Sequence, residues 1–189
     1  MTEHLASHGF VVMAPDHTGN TAIDNFLGTG DETEQSAADR PADVAAVIDA
    51  AEAGVPGLED VVAVTDTDRV AVTGHSFGGY TALVAAGGTD DIESDERVDA
   101  IIGLAPASSG IPDDSLEAVD VPTLLVSGTL DETTPVEEDT IRPAELVQGR
   151  PLVRADIEKA GHQSFADVCV YLGLVDSLPD LPAELVEAV

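Results

Sequence analysis

The sequence predicts an α/β domain built on a mostly parallel sheet with helices on both faces, and three observations carry that reading. Short runs rich in Val, Ile and Leu recur between Gly, Pro and Asp residues, alanine-rich stretches with helical spacing lie between them, and the two kinds alternate along the chain. A strand of a parallel sheet is covered on both faces, so its residues read as a continuous apolar run rather than as an alternation. The 189 residues are of one-domain size, and 1–189 is read as a single domain. In such a sheet, ligands bind beyond the carboxyl ends of the strands, so the loops that follow strands are where chemistry is expected.

Taken in order, strands are expected over residues 10–14, 69–73, 100–105, 123–127 and 152–157. Helices are expected over 40–53, 77–86 and 141–147, with another opening near Phe165. The polar, acidic stretch 29–39 reads as a loop, as does 53–60 with Gly54, Pro56 and Gly57. The tail 174–189, with Pro179 and Pro182, reads as a short helix or an extension. There is no internal repeat.

Composition sets the surroundings of this fold. Hydrophobic residues make up 43% of the chain and mean hydropathy is +0.10, enough for a packed interior. Against 7 Lys and Arg stand 37 Asp and Glu, a formal charge of −30 and a pI near 4.1. The acids are dispersed, which describes a solvated acidic surface that repels nucleic acid. Such self-repulsion is relieved when salt shortens the Debye length to about 3 Å near 1 M. The pattern resembles that of haloarchaeal proteins.

Cys169, the single cysteine, excludes an intrachain disulfide and, in its apolar surroundings, reads as a buried structural thiol. No run is long and apolar enough for a membrane span and no signal-peptide pattern opens the chain, so a cytoplasmic protein is expected.

The strongest motif is Gly74-His75-Ser76-Phe77-Gly78, set between an expected strand and an expected helix. That context is a nucleophile elbow. A sharp strand-to-helix turn strains the serine backbone and demands small neighbours, a demand met by Gly74 and Gly78. It lifts the Ser76 hydroxyl above the sheet and leaves the Phe77 backbone N–H at a helix N-terminus, where it can stabilise an oxyanion.

A serine hydroxyl needs a base, and on this kind of turn the partners follow in the order Ser, acid, His. Of five histidines only His162 follows Ser76. Many acids lie between them. Asp131 follows the run 123–127 through Gly128-Thr129-Leu130, whereas Asp113, Asp114, Asp120 and Asp139 have no strand directly before them. Asp131 is therefore the expected orienting carboxylate and the alternative for it is a solvated loop acid. Neither metal nor organic cofactor is required by this set. His4 and His8 share helical spacing, but a lone pair near a terminus reads as solvated helix rather than zinc ligands.

The segments 9–17, 74–79, 127–131 with Pro135, and Gly161-His162 with Phe165 together resemble the dienelactone-hydrolase-like branch of the α/β-hydrolases, which is similar to the platelet-activating-factor acetylhydrolase and polyester-hydrolase groups. The resemblance implies an α/β-hydrolase fold, a small carboxylic ester as substrate and no cofactor. Dienelactone hydrolase itself looks to a cysteine where this chain has Ser76. The resemblance also implies that the fold's opening strands, with the loop that supplies a second oxyanion N–H, precede Met1, so the chain is expected to be N-terminally incomplete and to leave a central slot open between 10–14 and 69–73. His17 either lines the site or stabilises a turn.

Three readings follow: a serine esterase using Ser76, His162 and Asp131, a serine peptidase or acyltransferase with the same triad, and a catalytically inactive fragment or non-enzymatic relative. An acidic binding module would leave the ordered Ser, Asp and His unexplained.

Overall fold

The computed structural model describes residues 2–166. In chain order these form α1 (Thr2–Ser7), α2 (Ala22–Leu27), α3 (Thr33–Ala53), α4 (Glu59–Val62), β1 (Val70–His75), α5 (Phe77–Gly87), β2 (Val98–Leu104), α6 (Asp113–Glu117), β3 (Thr123–Gly128), a π-helical turn (Glu137–Ile141), α7 (Arg142–Leu146), β4 (Leu152–Ile157) and a 3₁₀ turn (His162–Phe165). The four strands form one sheet in the order β1-β2-β3-β4, every pair parallel. This is an α/β-hydrolase fold. Among the described residues no helix is long and apolar enough to cross a membrane.

The core lies where α5 and α3 meet the sheet. Ala82, Leu83, Val84 and Ala85 of α5 are buried with Val98 and Ile101 of β2, Ile48 of α3, and Leu116, Val119 and Val147. Fully burying a side chain such as Leu83 or Ile101 stabilises by about 1.5–3 kcal/mol. These contacts fix α5 over the β1–β2 pair, so the turn joining β1 to α5 is held from both sides. Arg97 adds a polar tie: it bonds Asp95 beside it and Asp49 and Glu52 on α3, and these carboxylates hold its guanidinium firmly protonated, well above the usual arginine range.

Four of the five expected strands are present, at 70–75, 98–104, 123–128 and 152–157. The strand expected over 10–14 is not formed. A β-propensity run becomes a strand only by pairing, and this one has no ladder partner among the described residues, where β1 is an outer strand and Phe10 and Val11 are 61% and 38% exposed.

The loop expected over 29–39 is also corrected, because α3 starts at Thr33 rather than at residue 40. Glu34 sits in its first turn, where the helix dipole favours an acid, Gln35 donates to Asp39 one turn on, and Ser36 is buried. Pro41, which suits a first turn, thus lies inside the helix, where tertiary packing buries it against its local preference. The loop expected over 53–60 gives way to α4 at Glu59.

The helix expected over 141–147 is entered through the π-helical turn; the 3₁₀ turn ends at Phe165 with Ala166 extended, and the rest of the helix expected to open near Phe165 lies outside the described residues. Cys169 and the tail 174–189 lie outside the described residues.

Candidate active site

All four strand ends feed one place. Register pairs Gly74 with Gly103 and His75 with Leu104, then Ser127 with Asp156 and Gly128 with Ile157, so the strands stop nearly level. Ser76 comes directly after β1, Asp131 three residues after β3 and His162 five after β4. Residues 86 apart are thereby brought within hydrogen-bond reach.

Ser76 has φ 56° and ψ −116°, a conformation that L-residues rarely adopt. The surroundings hold it there. Its N–H donates to Leu104 O at 2.9 Å, and its carbonyl accepts from the N–H groups of Gly79, Tyr80 and Ala107 at 2.9, 3.2 and 3.0 Å. Strain of this kind, costing about 1–3 kcal/mol, persists only when several such bonds determine it.

The steric demand of the turn is uneven. A Cβ on Gly74 would stand 2.4 Å from the Gly78 backbone, so this position requires glycine. A Cβ on Gly78 would meet only Arg40 Nη2, at 3.8 Å, and space therefore does not require glycine there. The second tight position is Gly79, whose Cβ would lie 2.6 Å from Cβ and 2.7 Å from Cα of Pro106. Thermal melts are expected to show Gly79→Ala losing about 1–3 kcal/mol by overpacking. Gly78→Ala should match wild type or gain up to about 1 kcal/mol of helix propensity. The reverse order would contradict this account of the turn.

His162 Nε2 lies 2.9 Å from Ser76 Oγ, and His162 Nδ1 lies 2.8 Å from Asp131 Oδ2. The imidazole is 9% exposed and the carboxylate fully buried. Asp131 is held by more than the histidine. The N–H groups of Thr133 and Thr134 donate to Oδ1 at 2.9 and 2.8 Å, and the Thr134 hydroxyl donates to Oδ2 at 2.9 Å. Burial pushes its pKa up, but the Thr134 N–H, His162 and the Thr134 hydroxyl together outweigh burial and hold it below the ordinary carboxylate value.

The loops carrying the two residues are laced together. Leu130 N–H donates to Ala160 O, Thr129 N–H to Ile157 O, and Lys159 N–H to Thr129 Oγ1. Gly128 lets them approach, since a Cβ there would stand 2.3 Å from Ala160 O.

Phe77 opens α5, so its N–H has no intrahelical acceptor and meets no acceptor among the described residues beside Ser76. Its ring packs on Tyr80 at 5.3 Å and under the Arg40 guanidinium at 4.8 Å. Arg40 in turn donates to Thr81 Oγ1 and to Asn20 Oδ1. Burial lowers its pKa, with Asp43 opposing.

His17 follows the first extended segment, and its partner is Asp43 of α3, at 2.7 Å, while its carbonyl accepts the N–H of Asn20. Its bonds thus serve the turn at 17–20 rather than Ser76. Among the other acids, Asp139 accepts the N–H groups of Ser108 and Ser109, and Asp113 is paired with Arg142. The exposed rings of His4, on α1, and His8, just past its end, lie 4.5 Å apart and tilted by 54°.

Two contributors escaped the reading of the sequence. Thr134 could have been found from the Asp-x-Thr-Thr pattern, in which an aspartate accepts backbone N–H groups two and three residues on. Arg40 left no local signal, because its partners are 20 and 41 residues distant.

The model of a family described as PET hydrolase-like matches residues 1–167. No curated protein matches the chain. Similar solved structures include a predicted CIB-like hydrolase from Thermoplasma acidophilum, at 24% identity and a TM-score of 0.44, with 68% of this chain and 59% of that chain covered. A puromycin-hydrolyzing peptidase of Mycobacterium tuberculosis has 21% identity and a TM-score of 0.46, with 61% of this chain and 21% of that chain covered. The chain thus spans less than two thirds of the length of either.

Proposed function

The chain belongs to the PET hydrolase-like family, and from that premise we propose that it is a serine carboxylic-ester hydrolase with Ser76 as nucleophile, His162 as general base and Asp131 as orienting acid. The observation that supports this most is the unbroken series Ser76 Oγ, His162 Nε2, His162 Nδ1, Asp131 Oδ2, with spacings of 2.9 and 2.8 Å.

In this mechanism Asp131 accepts the His162 Nδ1–H, which leaves the Nε2 lone pair facing Ser76. As Ser76 Oγ attacks the ester carbonyl carbon, its proton passes to His162 Nε2, and the carbonyl oxygen, now negative, takes the Phe77 N–H. When the tetrahedral centre collapses, the bond to the leaving alkoxide breaks and His162 returns the proton to it as alcohol. Water then repeats the sequence on the acyl-enzyme, with His162 as its base, and releases the acid and the free Ser76 hydroxyl. The set asks for no cofactor and no metal.

A panel of nitrophenyl esters of short and medium acyl chains, run beside aminoacyl nitroanilides, separates the esterase from a peptidase with the same triad. The esters are expected to turn over and the anilides not. Rates should rise in molar KCl, as the dispersed −30 charge is screened. Anilide turnover above ester turnover would overturn the assignment. A second reading, a non-catalytic relative, draws on one observation: β1 bounds the sheet, with no described strand beyond its outer edge. Absence of turnover on both panels by a folded sample would favour it.

A further inference from the structure

His75 is the residue before the nucleophile, and its side chain reaches across the site. Its Nε2 lies 2.9 Å from the backbone carbonyl of His162, 87 positions away. A carbonyl only accepts, so Nε2 carries the proton and donates. The two imidazole rings lie 4.6 Å apart, tilted by 43°, and Phe165 flanks the His75 ring at 6.3 Å.

This bond has a property that the triad's own bonds lack. The Ser76–His162 and His162–Asp131 bonds change as the proton moves, because His162 becomes an imidazolium and Ser76 an acyl ester. The bond from His75 uses the backbone of His162, which takes no part in that proton transfer. His75 itself is the last residue of β1, paired with Leu104 of β2. The loop carrying the base is therefore anchored to the strand carrying the nucleophile, one residue from it, throughout the reaction.

We propose that His75 is a positioning residue, whose Nε2–H bond to the His162 carbonyl and whose ring against the His162 imidazole keep the base loop seated on the nucleophile elbow. This rests on the assignment of Ser76 and His162 as nucleophile and base. The groups facing His75 agree with a neutral donor. Burial lowers its pKa, as does the neighbouring His162, while its bond to the His162 carbonyl and the Asp131 carboxylate oppose this without prevailing. A neutral His75 spares the imidazolium that forms on His162 a like charge at close range.

The test compares wild type, His75→Phe and His75→Gln by their rate of inactivation with a fluorophosphonate and by kcat and KM on a nitrophenyl ester. Phenylalanine keeps a ring and removes the donor, and glutamine restores a donor at similar reach. The expected result is a loss of about tenfold to a hundredfold in inactivation rate and kcat for His75→Phe, from misplacement of the base by a fraction of an ångström. KM should stay nearly unchanged, and His75→Gln should recover most of the rate. Inactivation of His75→Phe at the wild-type rate would overturn the proposal.

Should that variant not fold, nitrogen-15 NMR of the wild-type histidines decides. His75 is expected in the Nε2–H tautomer with a slowly exchanging proton, and the Nδ1–H tautomer would overturn the proposal. A wild type that resists the fluorophosphonate would count against the assignment of Ser76, while the NMR readout would still report on His75.

Discussion

Ser76→Ala is expected to lower kcat for ester hydrolysis by about a millionfold, His162→Ala by a similar factor, and the double variant by no more than either alone. The reason is that the two side chains form one device. The Ser76 hydroxyl is a weak nucleophile unless Nε2, 2.9 Å away, takes its proton as the bond forms. Among the described residues, Nε2 in turn bonds Ser76 Oγ alone. Residual turnover would come from the Phe77 N–H and from binding alone. Assays in molar KCl on samples that melt like wild type measure this. Losses that multiply in the double variant would mean that Ser76 and His162 act separately.

Asp131→Asn is expected to lower kcat by about ten-thousandfold while leaving the fold intact. An amide at this position can turn its NH2 toward His162 Nδ1, which then accepts and forces the proton onto Nε2. That tautomer cannot receive the Ser76 proton. The N–H groups of Thr133 and Thr134 still donate to the remaining oxygen, Oδ1, so the substitution alters the tautomer more than the position.

The pH dependence carries the same argument. The pKa of Asp131 is depressed below its ordinary 3.8, so the stabilisation from its ionised form is fully present above that value. It is lost only as pH falls through the depressed folded value. Activity lost at higher pH on the acid side therefore does not arise from Asp131, and kcat/KM profiles of wild type should show no carboxylate limb above the ordinary range.

The two central strands, β2 and β3, were legible because each is a short apolar run covered on both faces of a parallel sheet, whereas the edge strand β4 carries Arg154 and Asp156 within its run and was read from the rest of it. The same signal misled at 10–14, where Phe10 and Val11 have the composition of a strand but, among the described residues, no partner to pair with. Pairing is a property of two segments, and no window of one segment contains it. The opening of α3 failed for a related reason. Glu34, Gln35 and Asp39 look like loop residues, yet Glu34 suits the first turn of a helix and Gln35 donates to Asp39 along it, while Ser36 and Ile48 anchor that helix inside the protein.

The candidate site was legible to the extent that the elbow orders its own chemistry. Gly74, His75, Ser76 and Phe77 sit in consecutive positions, and chain order left His162 as the sole histidine to follow. Gly78 shows where local reasoning stopped, since the space-limited glycine beyond the serine is Gly79, whose neighbour Pro106 lies in a different loop. The roles of His75, Thr134 and Arg40 depend on side chains that converge only when β1, β3, β4 and α3 are in place.

The central claim is that Ser76 is an activated nucleophile, and intact-protein mass spectrometry after incubation with a fluorophosphonate in concentrated KCl tests it most directly. One adduct on wild type, mapped to Ser76 and absent from Ser76→Ala, is the predicted result. No adduct on a folded wild type, or an adduct that persists in Ser76→Ala, would contradict it.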